Sequence, residues 1–464
     1  MSLKSLFSAK DMTEGAPWKR ILEFSVPMLL GNVAQQLYNT ADSVIVGLYV
    51  GDNALAAVGS ASPILNLLLA LFVGIATGAG IVISQSFGAR DREGLSKNVG
   101  NCISLTLVAT VVIMVFGPLI TRPMLHLLDT PESIMEWCVE YLNIFFYGIA
   151  GFFFYNMLSG VLRGLGDSVS ALGFLLLAAA LNVALDLLFV AKFGMGVPGV
   201  ALATVIAQGI SAVFCYIKLM RMGDLFDLNR STIRLDKKIS GRIISIGIPS
   251  GVTQAIMACS MMVVQSLTNS MGEMVIAANV IIMRVDGFAM MPNFSFGQAM
   301  SVYAGQNVGA CRYDRVHKGV GQGTAIALSF SAVITVVLLF LNKYLFAIFT
   351  ETTALIDLAG QMMRIMAVGY LAVSISQVLG GIMRGMGDTV TPMWISIVST
   401  VVLRVPIAYI LAFFTRSAEY PHGHPFSLSI SLLISWTMGM VITVIAYRFG
   451  RCRKKLQEEM KQSA

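Results

Sequence analysis

The sequence predicts an all-α integral membrane protein: twelve transmembrane helices in two parallel six-helix lobes, related by a pseudo-two-fold axis along the membrane normal. Composition, the spacing of apolar runs and an internal repeat carry that prediction. Of 464 residues, 56% are apolar and 12% charged, whereas a soluble domain carries about 25% charged residues. So few charges cannot cover the surfaces of several soluble cores, and a mean hydropathy of +0.76 agrees. A soluble enzyme is excluded. A disordered chain is excluded too, because disorder needs a polar, highly charged composition.

A spanning helix needs about 20 apolar residues at ~1.5 Å each. Twelve stretches qualify, at 21–50, 54–83, 99–122, 137–162, 169–192, 197–220, 241–270, 274–304, 319–343, 355–383, 390–414 and 426–448. With the amino terminus cytoplasmic, the inner connections hold 25 Lys and Arg and the outer ones four, Arg122, Lys192, Lys343 and Arg416. That asymmetry places both termini inside. The expected organisation is a cytoplasmic segment 1–20, an N-lobe 21–220, a cytoplasmic linker 221–240, a C-lobe 241–448 and a basic cytoplasmic tail 449–464. The first apolar run is too long for a signal-peptide core, so that span is retained. The net charge of +7 is scattered in short stretches between apolar runs, a topological pattern and not a basic face for nucleic acid. The six cysteines show no CxxC spacing, so neither a metal site nor a disulfide framework is indicated.

The repeat fixes the architecture. Ser84–Gly100 (SQSFGARDREGLSKNVG) aligns with Gly305–Gly321 (GQNVGACRYDRVHKGVG), and Gly160–Val169 (GVLRGLGDSV) with Gly381–Val390 (GIMRGMGDTV), both at an offset of 221 residues. Each copy holds six spans, an even number, so the copies share orientation. Two such lobes make a transporter-like design with substrate bound near the midplane and alternating access by rocking.

Function must then be read from the polar groups inside the apolar runs, since an intramembrane ionisable residue is costly. Counting ~1.5 Å per residue from the outer end of each span, Asp42 lies about 12 Å deep, Asp186 about 9 Å and Thr204 about 10 Å. Asn182 precedes Asp186 by one turn and shares its face. Asp42, Asn182, Asp186 and Thr204 thus form an oxygen-rich group suited to a proton or a hard cation such as Na⁺. The repeat maps Asn182 to Leu403 and Asp186 to Ile407, so the second copy does without them. Gln36, Asn39, Tyr147, Asn156 and Asp286 are further side chains that could support substrate or cation. Asp286 has Arg404 at a similar depth, which predicts a structural ion pair. No HExxH, GxSxG or P-loop occurs, so no enzymatic chemistry and no cofactor is expected.

These residues resemble a known family. Pro27, Gln35-Gln36, Asn39 and Asp42 in the first span, the Gln-x-x-Gly-Ala pattern after spans 2 and 8, and the Arg-Gly-x-Gly-Asp turns at Arg163 and Arg384 look like a bacterial MATE (multidrug and toxic compound extrusion) transporter. The resemblance covers essentially the whole chain and is greatest to the DinF-like branch. There it implies a cation site in the N-lobe, onto which Asp42, Asn182, Asp186 and Thr204 fall. It further implies export of cationic or amphipathic small organic molecules in exchange for H⁺ or Na⁺, by a multi-pass, monomeric protein of the bacterial inner membrane with lipid as its other partner. A lipid-linked oligosaccharide flippase of the same superfamily is the alternative, followed by a passive channel or a membrane receptor.

Overall fold

A computed structural model describes residues 9–50 and 52–462, and every regular element among them is helical. Residues 1–8 of the expected amino-terminal segment and 463–464 of the expected tail lie outside the described residues. In chain order the long helices are α1 (Pro17–Tyr49), α2 (Asp52–Gly88), α3 (Arg92–Leu127), α4a (Glu132–Tyr147) with α4b (Ile149–Gly164), and α5 (Ser168–Asp186), which continues as a π-helical segment over Leu187–Lys192. Then come α6 (Gly196–Met220), α7 (Lys237–Ser270), α8 (Glu273–Gly309), α9 (Tyr313–Ala347) and α10a (Thr353–Ala367) with α10b (Gly369–Gly385). α11 runs as Val390–Ile397, a π-helical stretch Val398–Arg404 and Val405–Phe414, followed by α12 (Phe426–Phe449) and a polar helix α13 (Arg451–Gln462).

Nine of these helices are long and apolar enough to cross a membrane, and the bent pairs α4a/α4b and α10a/α10b bring the number to eleven. α1, at 33 residues, is the twelfth and the most interrupted by polar side chains. The bends are 52° in α4 and 44° in α10. They fall at Gly148 and Gly369, which are equivalent in the repeat, so the duplication preserves the kinks as well as the spans. Both glycines are wedged against a neighbouring helix: a Cβ at Gly369 would stand 2.5 Å from the Trp436 ring, and one at Gly148 would strike Val205. Faces without protein neighbours carry large apolar side chains, such as Leu119 on α3 (69% exposed) and its repeat partner Phe340 on α9 (76%). Such a surface suits lipid.

The chain forms two compact units, and they do not coincide with segments 21–220 and 241–448. Unit 1 holds the described residues up to Asp11 together with those of Pro27–Gly251; unit 2 holds Met12–Val26 and the described residues from Val252 onward. Each boundary therefore cuts a helix, α1 at Pro27 and α7 just past Pro249. Both prolines lack an N–H and interrupt the helical ladder, which lets one helix serve two packing environments.

Local anchors explain why the half-helices belong where they do. In unit 1, Arg242 Nη2 donates to Gln85 Oε1 at 2.6 Å, Asn101 Nδ2 donates to Ser240 Oγ at 3.0 Å, and Asp236 N–H donates to Asn101 Oδ1 at 2.7 Å. The N–H groups of Ile239 and Lys238 hold the Asp236 carboxyl below the usual carboxylate range, as expected where a carboxylate caps a helix start. Farther along, α2 and α7 touch backbone to backbone: a Cβ at Gly78 would lie 2.6 Å from Ile243 O, and one at Gly247 would lie 2.5 Å from Ile75 Cα. Small residues allow such close approach between spans. In unit 2 the segment before α1 is held by an equivalent device. Gln306 Oε1 accepts from Met12 N–H at 2.8 Å, and the buried Arg315 guanidinium donates to Gly15 O at 2.8 Å and Met12 O at 3.0 Å. Gln85 and Gln306 occupy matching places in the repeat, so each copy anchors the start of the other copy's first helix.

Candidate functional site

Three helices of unit 1 each contribute a polar pair spaced by one turn. α1 brings Tyr38 and Asp42, α5 brings Asn182 and Asp186, and α6 brings Thr204 and Gln208. Residues four apart share a helix face, so each helix turns both members of its pair the same way. Asn182 and Asp186 are fully buried, and Asn182 Nδ2 donates to Thr204 Oγ1 at 3.2 Å. Tyr38 lies beside Thr204 and Gln208. The carboxyl groups of Asp42 and Asp186 adjoin one another across α1 and α5.

The remaining lone pairs define the chemistry. No hydrogen-bond partner among the described residues meets Asp42 Oδ1, Asn182 Oδ1, Gln208 Oε1 or either carboxyl oxygen of Asp186. Buried acceptors are normally satisfied, and two adjoining carboxylates repel. A proton shared by the two acids would relieve both problems. A hard cation taken up by the same oxygens would do so as well, and the donor set, all oxygen and with two acids, fits one. Asp186 is also the last α-helical residue before the π-helical segment Leu187–Lys192. The wider turn that follows gives α5 an irregularity at the acid, a placement common at functional sites.

The structure brings together Asp42, Asn182, Asp186 and Thr204. Asn39, which sequence spacing also places beside Asp42, is instead exposed and accepts from Gln35 Nε2 at 3.2 Å; Gln36 is exposed. Tyr38, four residues before Asp42, takes the position that spacing of three had given to Asn39. Tyr147 is 59% exposed, and Asn156 spends its amide on Phe152 O of its own helix at 2.9 Å. Asp286 belongs to unit 2, whereas the cluster belongs to unit 1. Its expected ion pair with Arg404 does not form. Asp286 Oδ1 instead accepts from the Tyr370 hydroxyl at 2.6 Å, while Arg404 Nε has no partner among the described residues. The reason is local: Arg404 ends the π-helical stretch of α11, and Tyr370, buried in α10b, reaches the acid first.

The MatE family pattern matches residues 27–188 and again 249–410, one copy for each half of the repeat. The chain belongs to the MatE family. Among curated relatives, the "Probable multidrug resistance protein YoeA" of Bacillus subtilis is 29% identical over 90% of this chain and 92% of that protein. YpnP of the same organism, also named a probable multidrug resistance protein, is 29% identical over 96% and 97%. Solved structures share the fold: one described as MATE in complex with MaD3S aligns with a TM-score of 0.87 at 24% identity, covering 97% of this chain and 98% of that one. Another, described as MATE in the bent conformation, also gives 0.87 at 24% identity and covers 97% of each chain. MATE proteins are transporters, not enzymes, and this chain is a multi-pass membrane transporter. The MATE fold accounts for the twelve spans and for the two-lobed repeat that the sequence displays.

Tyr38 and Gln208 escape a reading that follows charge alone. A signal for them exists, since each stands one turn from a singled-out residue, Tyr38 from Asp42 and Gln208 from Thr204.

Proposed function

We propose that this MATE transporter is a secondary active multidrug exporter that exchanges cationic or amphipathic organic compounds for H⁺ or Na⁺ by alternating access. The observation that carries this reading is the adjoining pair Asp42–Asp186, ringed by buried oxygens without donors. The amino-terminal placement of the site favours the DinF-like branch, and the names of the B. subtilis relatives favour drugs as cargo. When the pair is charged, a cationic substrate is attracted; when a proton or Na⁺ neutralises it, that attraction is lost and substrate leaves. Linkage makes the effect reciprocal, so bound substrate weakens cation binding by the same factor. That is exchange and not cotransport.

Efflux of a cationic dye from proteoliposomes, under H⁺ and Na⁺ gradients imposed separately, tests the reading. Uphill movement driven by at least one gradient is expected. Equilibration that neither gradient accelerates would identify a passive pathway and overturn the proposal.

We propose a location in the bacterial inner membrane with both termini and the linker 221–240 cytoplasmic, a reading supported by the 25 inner against four outer bases. A single cysteine at Ser231, in a background without the native cysteines, is expected to stay unlabelled by an impermeant maleimide in intact cells. It should react after permeabilisation. Labelling in intact cells would reverse the topology.

A further inference from the structure

Beyond the acid pair, the interior of unit 1 stays polar toward the inner ends of α4b and α6. On α6, Gln208, Ser211, Cys215 and Lys218 follow at spacings of three and four, which puts them on one face over ~15 Å. On α4b, Tyr155, Ser159 and Arg163 do the same. The two helices meet backbone to backbone, since a Cβ at Gly151, one turn before Tyr155, would lie 2.6 Å from Gly209 N. These faces are interior: Tyr155, Ser159, Gln208, Ser211 and Cys215 are all buried. Yet Ser159 Oγ, Ser211 Oγ and Gln208 Oε1 have no hydrogen-bond partner among the described residues. A serine inside a helix commonly donates to the carbonyl one turn back, as Ser25 does to Ile21 O at 2.7 Å. A line of buried, unsatisfied oxygens that starts at the acid pair is a route along which a proton or a hydrated cation can step.

The route ends at a charge. Arg163 is partly buried between the buried Leu162 and Gly164, and it makes no hydrogen bond or ion pair among the described residues. Helical side chains lean toward the amino-terminal end of their helix, which directs that of Arg163 back along α4b into the lobe. Tyr155 and Cys215 lie within its electrostatic reach. Asp167, four residues on, is committed elsewhere. Its carboxyl accepts from Ser170 N–H at 2.9 Å and Ser170 Oγ at 2.7 Å, and it pairs with Lys218 Nζ at 3.6 Å. Arg163 thus places a permanent positive charge in the route, and such a charge repels protons and metal ions.

The second copy supplies a contrast. Arg384 takes the place of Arg163, but Ser376 and Gly380 stand where the first copy has Tyr155 and Ser159, and Ser376 Oγ donates to Ala372 O at 3.1 Å. That copy keeps the arginine without the acid pair and without the unsatisfied hydroxyl on this face.

We propose that Arg163 is an electrostatic seal, which blocks the coupling cation held at Asp42 and Asp186 from escaping between α4b and α6 toward their inner ends. The proposal rests on the exchange reading above and adds to it a cause of tight coupling. A cation that slipped through unit 1 would dissipate the gradient without moving substrate.

The test reads cation leak in the absence of substrate. Protein is reconstituted in phosphatidylcholine vesicles that hold a pH-sensitive or a Na⁺-sensitive dye, and a potassium diffusion potential is applied with valinomycin. Wild-type vesicles are expected to leak no faster than protein-free ones. Arg163→Gln should raise the leak of H⁺ or Na⁺ about tenfold, the effect of one unit charge across roughly 10 Å at an effective dielectric of about 20. Cys215→Asp, which sets a carboxylate near the untouched guanidinium, should leak as well. Arg163→Lys keeps the charge and should stay tight, as should Arg384→Gln in the copy without the route. Adding Asp42→Asn to Arg163→Gln should return the leak to baseline, because the cation loses its foothold.

A leaky wild type, a leak from Arg163→Lys or Arg384→Gln equal to that of Arg163→Gln, or a leak that survives Asp42→Asn would overturn the seal. If only one neutralising variant reaches the membrane, that variant decides. Failure of both to reach it would make the guanidinium a folding element and overturn the seal too. Tight vesicles from the neutralising variants, alongside gradient-driven efflux by the wild type, would remove the seal and leave the export reading intact. A leak from Arg163→Gln without gradient-driven efflux by the wild type would remove the export reading alone.

Discussion

Asp42→Asn and Asp186→Asn, each made alone, are expected to abolish gradient-driven efflux while the protein still reaches the membrane in folded form. Each change keeps the size of the side chain but removes one member of the adjoining acid pair, so the site can no longer alternate between charged and neutral states. The loss should exceed about a hundredfold in uphill transport, since coupling of a few kcal/mol vanishes with the charge. Folding should survive, because Asp186 takes no hydrogen bond among the described residues that the substitution would break. Ile407→Val, at the equivalent place in the other half, is expected to leave transport unchanged. Efflux against a gradient in either Asp variant, measured in the same proteoliposomes, would remove the pair from the coupling step.

Gly247→Leu should destabilise the protein severely. A Cβ at that position already falls 2.5 Å from Ile75 Cα and 2.9 Å from Gly74 O, and both are backbone atoms that no rotamer change can move aside. The side chain would force α2 and α7 apart along the line where Gly74, Gly78, Gly247 and Gly251 meet. Overpacking of a well-packed contact costs about 1–3 kcal/mol and more where backbone must shift, so a clear fall in Tm, or loss of detergent-stable protein, is expected. Gly241→Ala, on the same helix but with nothing within 4 Å of its Cβ position, is the control and should be neutral. Equal stability of the two variants, read by thermal unfolding in detergent, would show that the crossing is not tight.

The spans were legible because hydrocarbon imposes length and apolarity on every crossing segment, and the two lobes because the repeat keeps one offset from Ala57 and Ala278 to Val169 and Val390. The acid pair was legible for a different reason. A carboxylate inside an apolar run is rare, and Asp42 and Asp186 have no counterparts in the second copy, so they stand out against the duplication. What stayed hidden depends on tertiary packing. Tyr370 as the partner of Asp286 is set by the reach of a buried ring on α10b, whereas equal depth on the sequence pointed to Arg404. Asn39 against Tyr38 turns on a difference of one residue in spacing, and only the backbone of α1 resolves it. The unit boundaries inside α1 and α7 were invisible as well, because polarity marks where a chain leaves the membrane and not where its packing partner changes.

Those boundaries bear on how the gene can be divided. Neither half of the coding sequence specifies a whole unit, since the opening half-helix of each copy is built into the other. The arrangement is that of a domain-swapped dimer whose protomers have been fused head to tail. A chain severed in the linker would thus yield two fragments, each missing one strut of its own unit and carrying one that belongs elsewhere. Complementation between the fragments, and not autonomous folding of either, is the behaviour that such an exchange dictates. It also gives the fused chain a reason to remain fused: synthesis on one ribosome guarantees every unit its borrowed half-helix in equal number.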